Sequence, residues 1–112
     1  MVIIGGGPGG YESALVAAQL GAEVVVVDSD GLGGSAVLTD CVPSKTLIAT
    51  AEVMTAVEGA SELGVEISDE THRSVRVDLA RVNARVKALA ADQSDDIVQR
   101  LEKEGVTVLR GR

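Results

Sequence analysis

The chain has 112 residues, a formal net charge of −7 and one aromatic residue, Tyr11. This length suits a single domain with a modest core, or part of one. An acidic chain with no basic stripe and no aromatic platform is a poor partner for nucleic acid. The single cysteine excludes an internal disulfide, which fits a reducing compartment. The first apolar run is too short to span a bilayer or to act as a signal peptide, so we expect a soluble, cytoplasmic protein.

The first thirty residues predict a strand, a helix and a second strand. A short β-branched run opens the chain, helical spacing follows around Leu15 and Ala18, and residues 24–27 are apolar at every position. A continuously apolar strand is typical of a parallel sheet with helices on both faces. Gly21 is suited to end the helix, because glycine adopts the left-handed conformation without a steric penalty.

The middle of the chain predicts one helix and a less regular segment. A glycine-rich turn at residues 31–34 precedes a second helix over residues 41–64. Pro43 suits the first turn of this helix, where its missing N–H is no loss. Residues 65–67 and 74–77 predict short strands on either side of a polar turn that contains His72.

A long amphipathic helix and a third strand follow. Asp78 is suited to cap a helix that runs to Glu104, in which apolar side chains recur every three or four residues. Gly105 ends this helix, and residues 106–109 form the third strand. The alternation of strands and helices predicts a Rossmann-like, three-layer α/β fold whose parallel strands lie in the order 3-2-1. Because this is one half of a doubly wound sheet, we expect an incomplete domain.

The first turn of this fold carries a dinucleotide fingerprint. In GGGPGG, Gly5, Gly7 and Gly10 keep the spacing G-x-G-x-x-G between a strand and a helix. Gly5 permits the tight turn, Gly7 lets a pyrophosphate approach the backbone, and Gly10 lets the helix pack close to the strand. We include Pro8 among the candidate cofactor-binding residues. The alternative is a glycine-rich turn that merely connects a strand to a helix.

Asp28 ends the second strand about 20 residues after the fingerprint, where an acidic residue binds the ribose hydroxyls of a dinucleotide. A carboxylate at this position would repel a 2′-phosphate, so an adenosine ribose without one is favoured. FAD and NAD both satisfy these two features.

The segment GLGGSAVLTDCVPSK, residues 31–45, resembles the redox-active segment of the FAD-dependent pyridine nucleotide-disulfide oxidoreductases, the family of dihydrolipoamide dehydrogenase and glutathione reductase. Members of that family show G-G-T-C-x-x-x-x-C-[IV]-P-S-K after an FAD fingerprint like the one above. The resemblance covers essentially the whole chain. It implies FAD as the cofactor and NAD(P)H as the co-substrate.

The resemblance departs from the family pattern at one of the two cysteines. Gly33 and Gly34 match the paired glycines and Ser35 matches the threonine, but Ala36 stands where the first cysteine belongs. Cys41 matches the second cysteine, and residues 42–45 match the end of the motif. Leu38 and Asp40 also differ from the usual asparagine and glycine. Without a sulfur at position 36, the dithiol chemistry of the family is excluded.

By resemblance, Cys41 is the thiol beside the flavin ring, and Lys45 reaches toward the flavin N5 region. These two residues are the candidate catalytic residues, and Gly33, Gly34, Ser35 and Lys45 join the candidate cofactor-binding set. A helix N-terminus and a neighbouring lysine favour the thiolate form of a cysteine. The alternative is that Cys41 is a relic packed as a small hydrophobic side chain.

The resemblance implies that residues 1–112 are the N-terminal part of an FAD-binding domain, closest to the NAD(P)H:quinone reductase branch. The expected enzyme passes electrons from NAD(P)H through FAD to a quinone-like small molecule without a redox disulfide. The nicotinamide-binding and dimerisation domains are absent from this chain, so we expect the chain alone to be inactive and the full-length protein to be a homodimer. The alternatives are a transhydrogenase-type flavoprotein and a noncatalytic nucleotide-binding fragment.

The remaining polar residues carry weaker signals. His72 is the only histidine, and because a metal site needs several ligands together, we expect no metal. Acidic pairs such as Asp95 and Asp96 are typical of a solvated helix face.

Overall fold

A computed structural model describes residues 1–111, which form a three-stranded sheet and five α-helices. The elements in chain order are β1 Val2–Ile4, α1 Pro8–Gln19, β2 Val25–Asp28, α2 Gly34–Leu38, α3 Cys41–Glu58, a 3-10 helix Ala60–Leu63, α4 Asp69–Ser74, α5 Leu79–Lys103 and β3 Thr107–Arg110.

The three strands are parallel, and β2 lies between β1 and β3. Val26 of β2 pairs with Ile3 of β1 on one side and with Val108 of β3 on the other. The predicted order of strands is therefore confirmed. In a parallel sheet all strands end at the same edge, so the loops that follow β1 and β2 are brought side by side.

The core lies between the sheet and the helices α1 and α5. Leu15 of α1, Val26 of β2 and Leu101 of α5 are each at most 3% exposed and belong to one cluster of buried side chains. Leu32, in the loop after β2, is 1% exposed and joins the same cluster. This cluster anchors both the sheet and the loop that leaves it.

The opposite face of the sheet is open in the described residues. Side chains alternate between the two faces along a strand, and Val2 and Ile4 are 66% and 87% exposed on the face away from the core. Residues 1–111 thus show the sheet and the helical layer of α1 and α5, two of the three predicted layers. The predicted α/β class with a parallel sheet is confirmed.

The helix ends follow the predicted signals in most places. Asp78 caps α5, with its Oδ1 accepting a hydrogen bond from the Arg81 N–H at 3.1 Å. Gly21 and Gly105 follow α1 and α5 with φ of +87° and +80°, the left-handed region that favours glycine. The predicted second helix ends earlier than expected, at Glu58, and a 3-10 helix follows Gly59. The sequence predicted the glycine-rich turn at residues 31–34 but not helix α2, which follows it.

The strands predicted at residues 65–67 and 74–77 are wrong. Ser68 caps α4 instead, with its Oγ accepting a hydrogen bond from the Thr71 N–H at 3.2 Å. Asp69 and Glu70 in the first turn and Arg73 in the last turn complement the helix dipole. Local capping and charge therefore outweigh the β-branched pattern, and His72 lies in a helix.

None of the helices within residues 1–111 combines the length and the apolar character needed to cross a lipid bilayer.

Replacing Leu101 by alanine tests this account of the core. Leu101 is fully buried, so Leu101→Ala should lower the free energy of unfolding by about 2–5 kcal/mol. Leu79 lies on the same helix and is 73% exposed, so Leu79→Ala should change stability by less than about 0.5 kcal/mol. Urea unfolding of the purified protein measures both values, and equal midpoints for the two variants would contradict the assignment of the core.

Candidate dinucleotide site

The residues between β1 and α1 form a first glycine loop, residues 5–10. Gly5 has φ of +98°, and its N–H donates to the Val27 carbonyl oxygen at 2.8 Å. Gly7 is the N-cap of α1, and within residues 1–111 no side chain caps this end of the helix with a hydrogen bond. The N–H groups at the start of α1 are therefore available to an anion.

Space around the first glycine loop differs sharply between its glycines. A Cβ added to Gly10 would lie 1.9 Å from the Gly5 carbonyl oxygen, so α1 packs against the loop backbone more closely than a side chain allows. A Cβ added to Gly7 would have Gly34 Cα as its nearest neighbour, at 4.0 Å, and one on Gly9 would have none within 4 Å. The outer surface of the loop at Gly7 and Gly9 is therefore open.

A second glycine loop, residues 31–34, lies directly against the first. The Gly33 N–H donates to the Gly6 carbonyl oxygen at 2.7 Å. A Cβ added to Gly34 would lie 2.8 Å from Gly7 Cα, so the two backbones are in contact where side chains would otherwise stand. The structure thus brings Gly33 and Gly34 together with the first glycine loop.

Asp28 ends β2 beside both loops. Its Oδ2 accepts a hydrogen bond from the Gly6 N–H at 2.7 Å, and its Oδ1 accepts from the N–H groups of Asp30 and Gly31 at 2.8 and 2.9 Å. Burial acts to raise the pKa of the Asp28 carboxyl, but these three donors outweigh burial, so the pKa lies below its ordinary value. Asp28 is therefore a carboxylate at neutral pH.

The remaining candidate residues follow the second glycine loop. Ser35 lies in α2, and its carbonyl oxygen accepts a hydrogen bond from the Asp40 N–H at 2.8 Å, directly before α3. Cys41 is the first residue of α3 and Lys45 lies one turn later; both side chains are exposed. Exposure contradicts the alternative that Cys41 is packed as a buried hydrophobic residue. No described hydrogen bond within residues 1–111 joins either side chain to the glycine loops.

The sequence motifs assign no role to two residues of the site, Gly6 and Leu32. Gly6 occupies a variable position of the fingerprint, yet a Cβ there would lie 2.2 Å from Leu32 Cδ2, and its N–H and carbonyl groups both bond to neighbouring segments. Leu32, within the second glycine loop, is buried in the core cluster. The signal for Gly6 was the run of three glycines at positions 5–7.

The fold and the joined glycine loops are those of the dinucleotide-binding α/β class. Comparison with known families matches residues 1–112 to "Pyridine nucleotide-disulphide oxidoreductase", and the chain belongs to this family. Membership in this family implies FAD as the cofactor. The expected family is thereby confirmed.

Among curated relatives, the chain is 50% identical over 115 residues to "NAD(P)H dehydrogenase (quinone)" of Mycobacterium tuberculosis, covering 100% of this chain and 23% of the relative. It is 38% identical over 111 residues to "Dihydrolipoyl dehydrogenase" of Chlorobaculum parvum, covering 99% of this chain and 23% of that protein. The chain thus spans about a quarter of the length of these relatives.

Two solved structures are also similar to this chain. The crystal structure of LpdA from Mycobacterium tuberculosis matches with a TM-score of 0.86 and 47% identity, covering 99% of this chain and 23% of that one. A flavoprotein disulfide reductase, RclA from Escherichia coli, matches with a TM-score of 0.73 and 21% identity, covering 99% of this chain and 21% of that one. The second match supports the fold alone.

The close packing at Gly10 predicts a contrast between two neighbouring glycines. Gly10→Ala should destabilise the protein by about 1–3 kcal/mol or more, because its Cβ meets backbone that cannot rotate away. Gly9→Ala, one residue earlier in α1 and open to solvent, should be neutral or stabilising, since alanine favours the helix. Thermal unfolding of both variants makes the comparison, and a Gly10→Ala variant as stable as Gly9→Ala would refute the packing.

Exposure of Cys41 predicts that the native, cofactor-free protein reacts with iodoacetamide. Cys41 is the only cysteine, so mass spectrometry reports this site directly, and labelling of the urea-unfolded protein provides the reference for complete reaction. Labelling of the unfolded protein alone would show that Cys41 is shielded and would contradict its exposed position.

Proposed function

We propose that this chain is the N-terminal part of the FAD-binding domain of a flavoprotein that passes electrons from NAD(P)H through FAD to a quinone-like acceptor. The observation that carries the proposal is a pair of joined glycine loops followed by Ala36 in place of a redox cysteine. FAD, when bound, supplies the two-electron chemistry, and the chain supplies binding, orientation and electrostatics.

The glycine loops hold the ADP half of FAD in this proposal. The open backbone at Gly7 admits the pyrophosphate, and the N-terminus of α1 presents N–H groups and a partial positive charge to it. Asp28 faces the adenosine ribose, while Gly33, Gly34 and Ser35 lie on the side of the pyrophosphate nearer the flavin. Pro8 begins α1 and leaves no N–H donor at that position.

The presence of only one cysteine, Cys41, in the motif determines which electron acceptors the enzyme can use. Exchange with a disulfide substrate needs an attacking thiol and a leaving thiol in one site, and Ala36 removes one of them. Cys41 and Lys45 stand at the start of α3, where we place the flavin ring. A flat conjugated oxidant can accept electrons there without covalent chemistry. The 50% identical relative named NAD(P)H dehydrogenase (quinone) supports this choice over a dithiol substrate.

The proposal extends to the full-length protein. Because the chain covers 23% of the length of its relatives, we assign nicotinamide binding and dimerisation to segments beyond it, and we propose a cytoplasmic homodimer. The 112 residues alone then bind FAD but do not catalyse the oxidation of NAD(P)H.

Isothermal titration tests the choice of cofactor. The protein should bind FAD in clear preference to NAD and ATP, and Gly7→Ala should weaken FAD binding by about tenfold or more, because the added methyl group occupies the pyrophosphate cradle. Gly59→Ala, at the end of α3, introduces the same methyl group into ordinary contact and should bind FAD normally. A preference for NAD, or full FAD affinity in Gly7→Ala, would count against the proposal.

Steady-state assays of the full-length protein test the identity of the electron acceptor. NAD(P)H oxidation should proceed with quinones and be negligible with lipoamide or glutathione disulfide, since the motif has one cysteine where disulfide exchange needs two. Ala36→Cys should gain a disulfide to Cys41 only if the two Cα atoms lie within about 7 Å, and Ala36→Ser is its control without a sulfur. Comparable turnover of lipoamide and quinone by the parent would overthrow this assignment.

A further inference from the structure

The hydrogen bonds of Asp28 are unusual for a residue whose expected partner is a ribose. Its two carboxylate oxygens accept three backbone N–H groups from two different loops without any cofactor. One donor, Gly6, belongs to the first glycine loop; of the others, Asp30 directly precedes the second glycine loop and Gly31 begins it. Gly6 also accepts the Gly33 N–H through its carbonyl oxygen, so both backbone groups of Gly6 are held.

The Asp28 carboxylate has few acceptor positions left for a ligand. A carboxylate offers about four lone-pair directions, two on each oxygen. Asp30 and Gly31 use both directions on Oδ1, and Gly6 uses one on Oδ2. A single direction on Oδ2 is left, so the carboxylate can accept one ribose hydroxyl but not two while the loops keep this arrangement.

We infer that Asp28 is a positioning residue, which joins the first glycine loop to the second before the cofactor binds and leaves one Oδ2 acceptor for a single ribose hydroxyl. The joining function needs no ligand. The effect on the cofactor rests on the proposed FAD site. Loss of the carboxylate should therefore weaken binding of the pyrophosphate, which Asp28 does not touch, as well as binding of the ribose.

The charge of Asp28 is present at working pH. Other ionisable groups near it are Asp30 on the same loop, Asp95 on α5 and Arg110 on β3, which line the same open pocket. Because its pKa is lowered in the folded state, Asp28 contributes stability fully above its ordinary pKa of 3.8, and this contribution is lost as pH falls through the lower folded value.

Amide hydrogen exchange tests the joining function without cofactor. Asp28→Asn keeps the shape of the side chain but replaces one acceptor oxygen by a donor NH₂, which cannot bond to an N–H. If the NH₂ group takes the place of Oδ2, amide exchange at Gly6 should accelerate by about tenfold or more at pH 7; if it takes the place of Oδ1, the same should hold at Asp30 and Gly31. Asp95→Asn removes an equal charge from the same pocket and should leave these amides unchanged. Unchanged exchange in Asp28→Asn would overturn the inference.

A measurement on the parent protein covers the case in which Asp28→Asn does not fold. In an NMR titration, the amide resonances of Gly6, Asp30 and Gly31 should shift together with the Asp28 carboxyl carbon, at a midpoint below its ordinary pKa. Amides that do not follow the carboxyl group would overturn the inference equally.

Binding of a truncated ligand separates positioning from ribose contact. Riboflavin 5′-diphosphate carries the flavin and both phosphates of FAD but lacks the adenosine. If Asp28 positions the loops, Asp28→Asn should weaken binding of both FAD and riboflavin 5′-diphosphate; weakening of FAD alone would make Asp28 only a ribose ligand and defeat the inference. A parent protein that binds neither ligand would defeat the proposed function, while amide exchange would still decide the joining function.

Discussion

The site depends on the close approach of two glycine loops at the carboxyl edge of a parallel sheet. A Cβ at Gly34 would stand 2.8 Å from Gly7 Cα, and a Cβ at Gly10 would stand 1.9 Å from the Gly5 carbonyl oxygen. Backbone fills the space that side chains occupy elsewhere. Glycine at position 34 lets the second loop meet the first, and glycine at position 10 lets α1 pack against the first loop. The result places the open backbone of Gly7 at the N-terminus of α1, and Leu32 anchors the second loop in the core.

Much of this arrangement could be predicted because it depends on local signals. Continuous apolar residues in β2 indicate a buried parallel strand, and Asp78 and Gly105 mark the ends of α5. The spacing of Gly5, Gly7 and Gly10 indicates the turn that the structure shows. Once these elements are placed, the right-handed crossover leaves few alternatives to the observed strand order.

Other features could not be predicted because they depend on contacts between distant segments or on competing local effects. No motif marks Gly6, whose importance comes from Leu32 and Asp28, more than twenty positions away. The region around His72 has β-branched residues that predict strands, but the Ser68 cap and the charges of α4 form a helix. The sequence predicted a ribose contact for Asp28, whereas its hydrogen bonds to both loops appear only in three dimensions.

The central claim is that the joined glycine loops bind FAD. An NMR titration of the ¹⁵N-labelled protein with FAD tests it most directly, because each backbone amide reports its own surroundings. The largest shifts are expected at Gly7 and at residues 9–11, at the start of α1, and at Gly34 and Ser35, at the start of α2. Large shifts confined to the groove that Val53 and Met54 of α3 form with Val82 of α5, with the glycine loops unaffected, would contradict it.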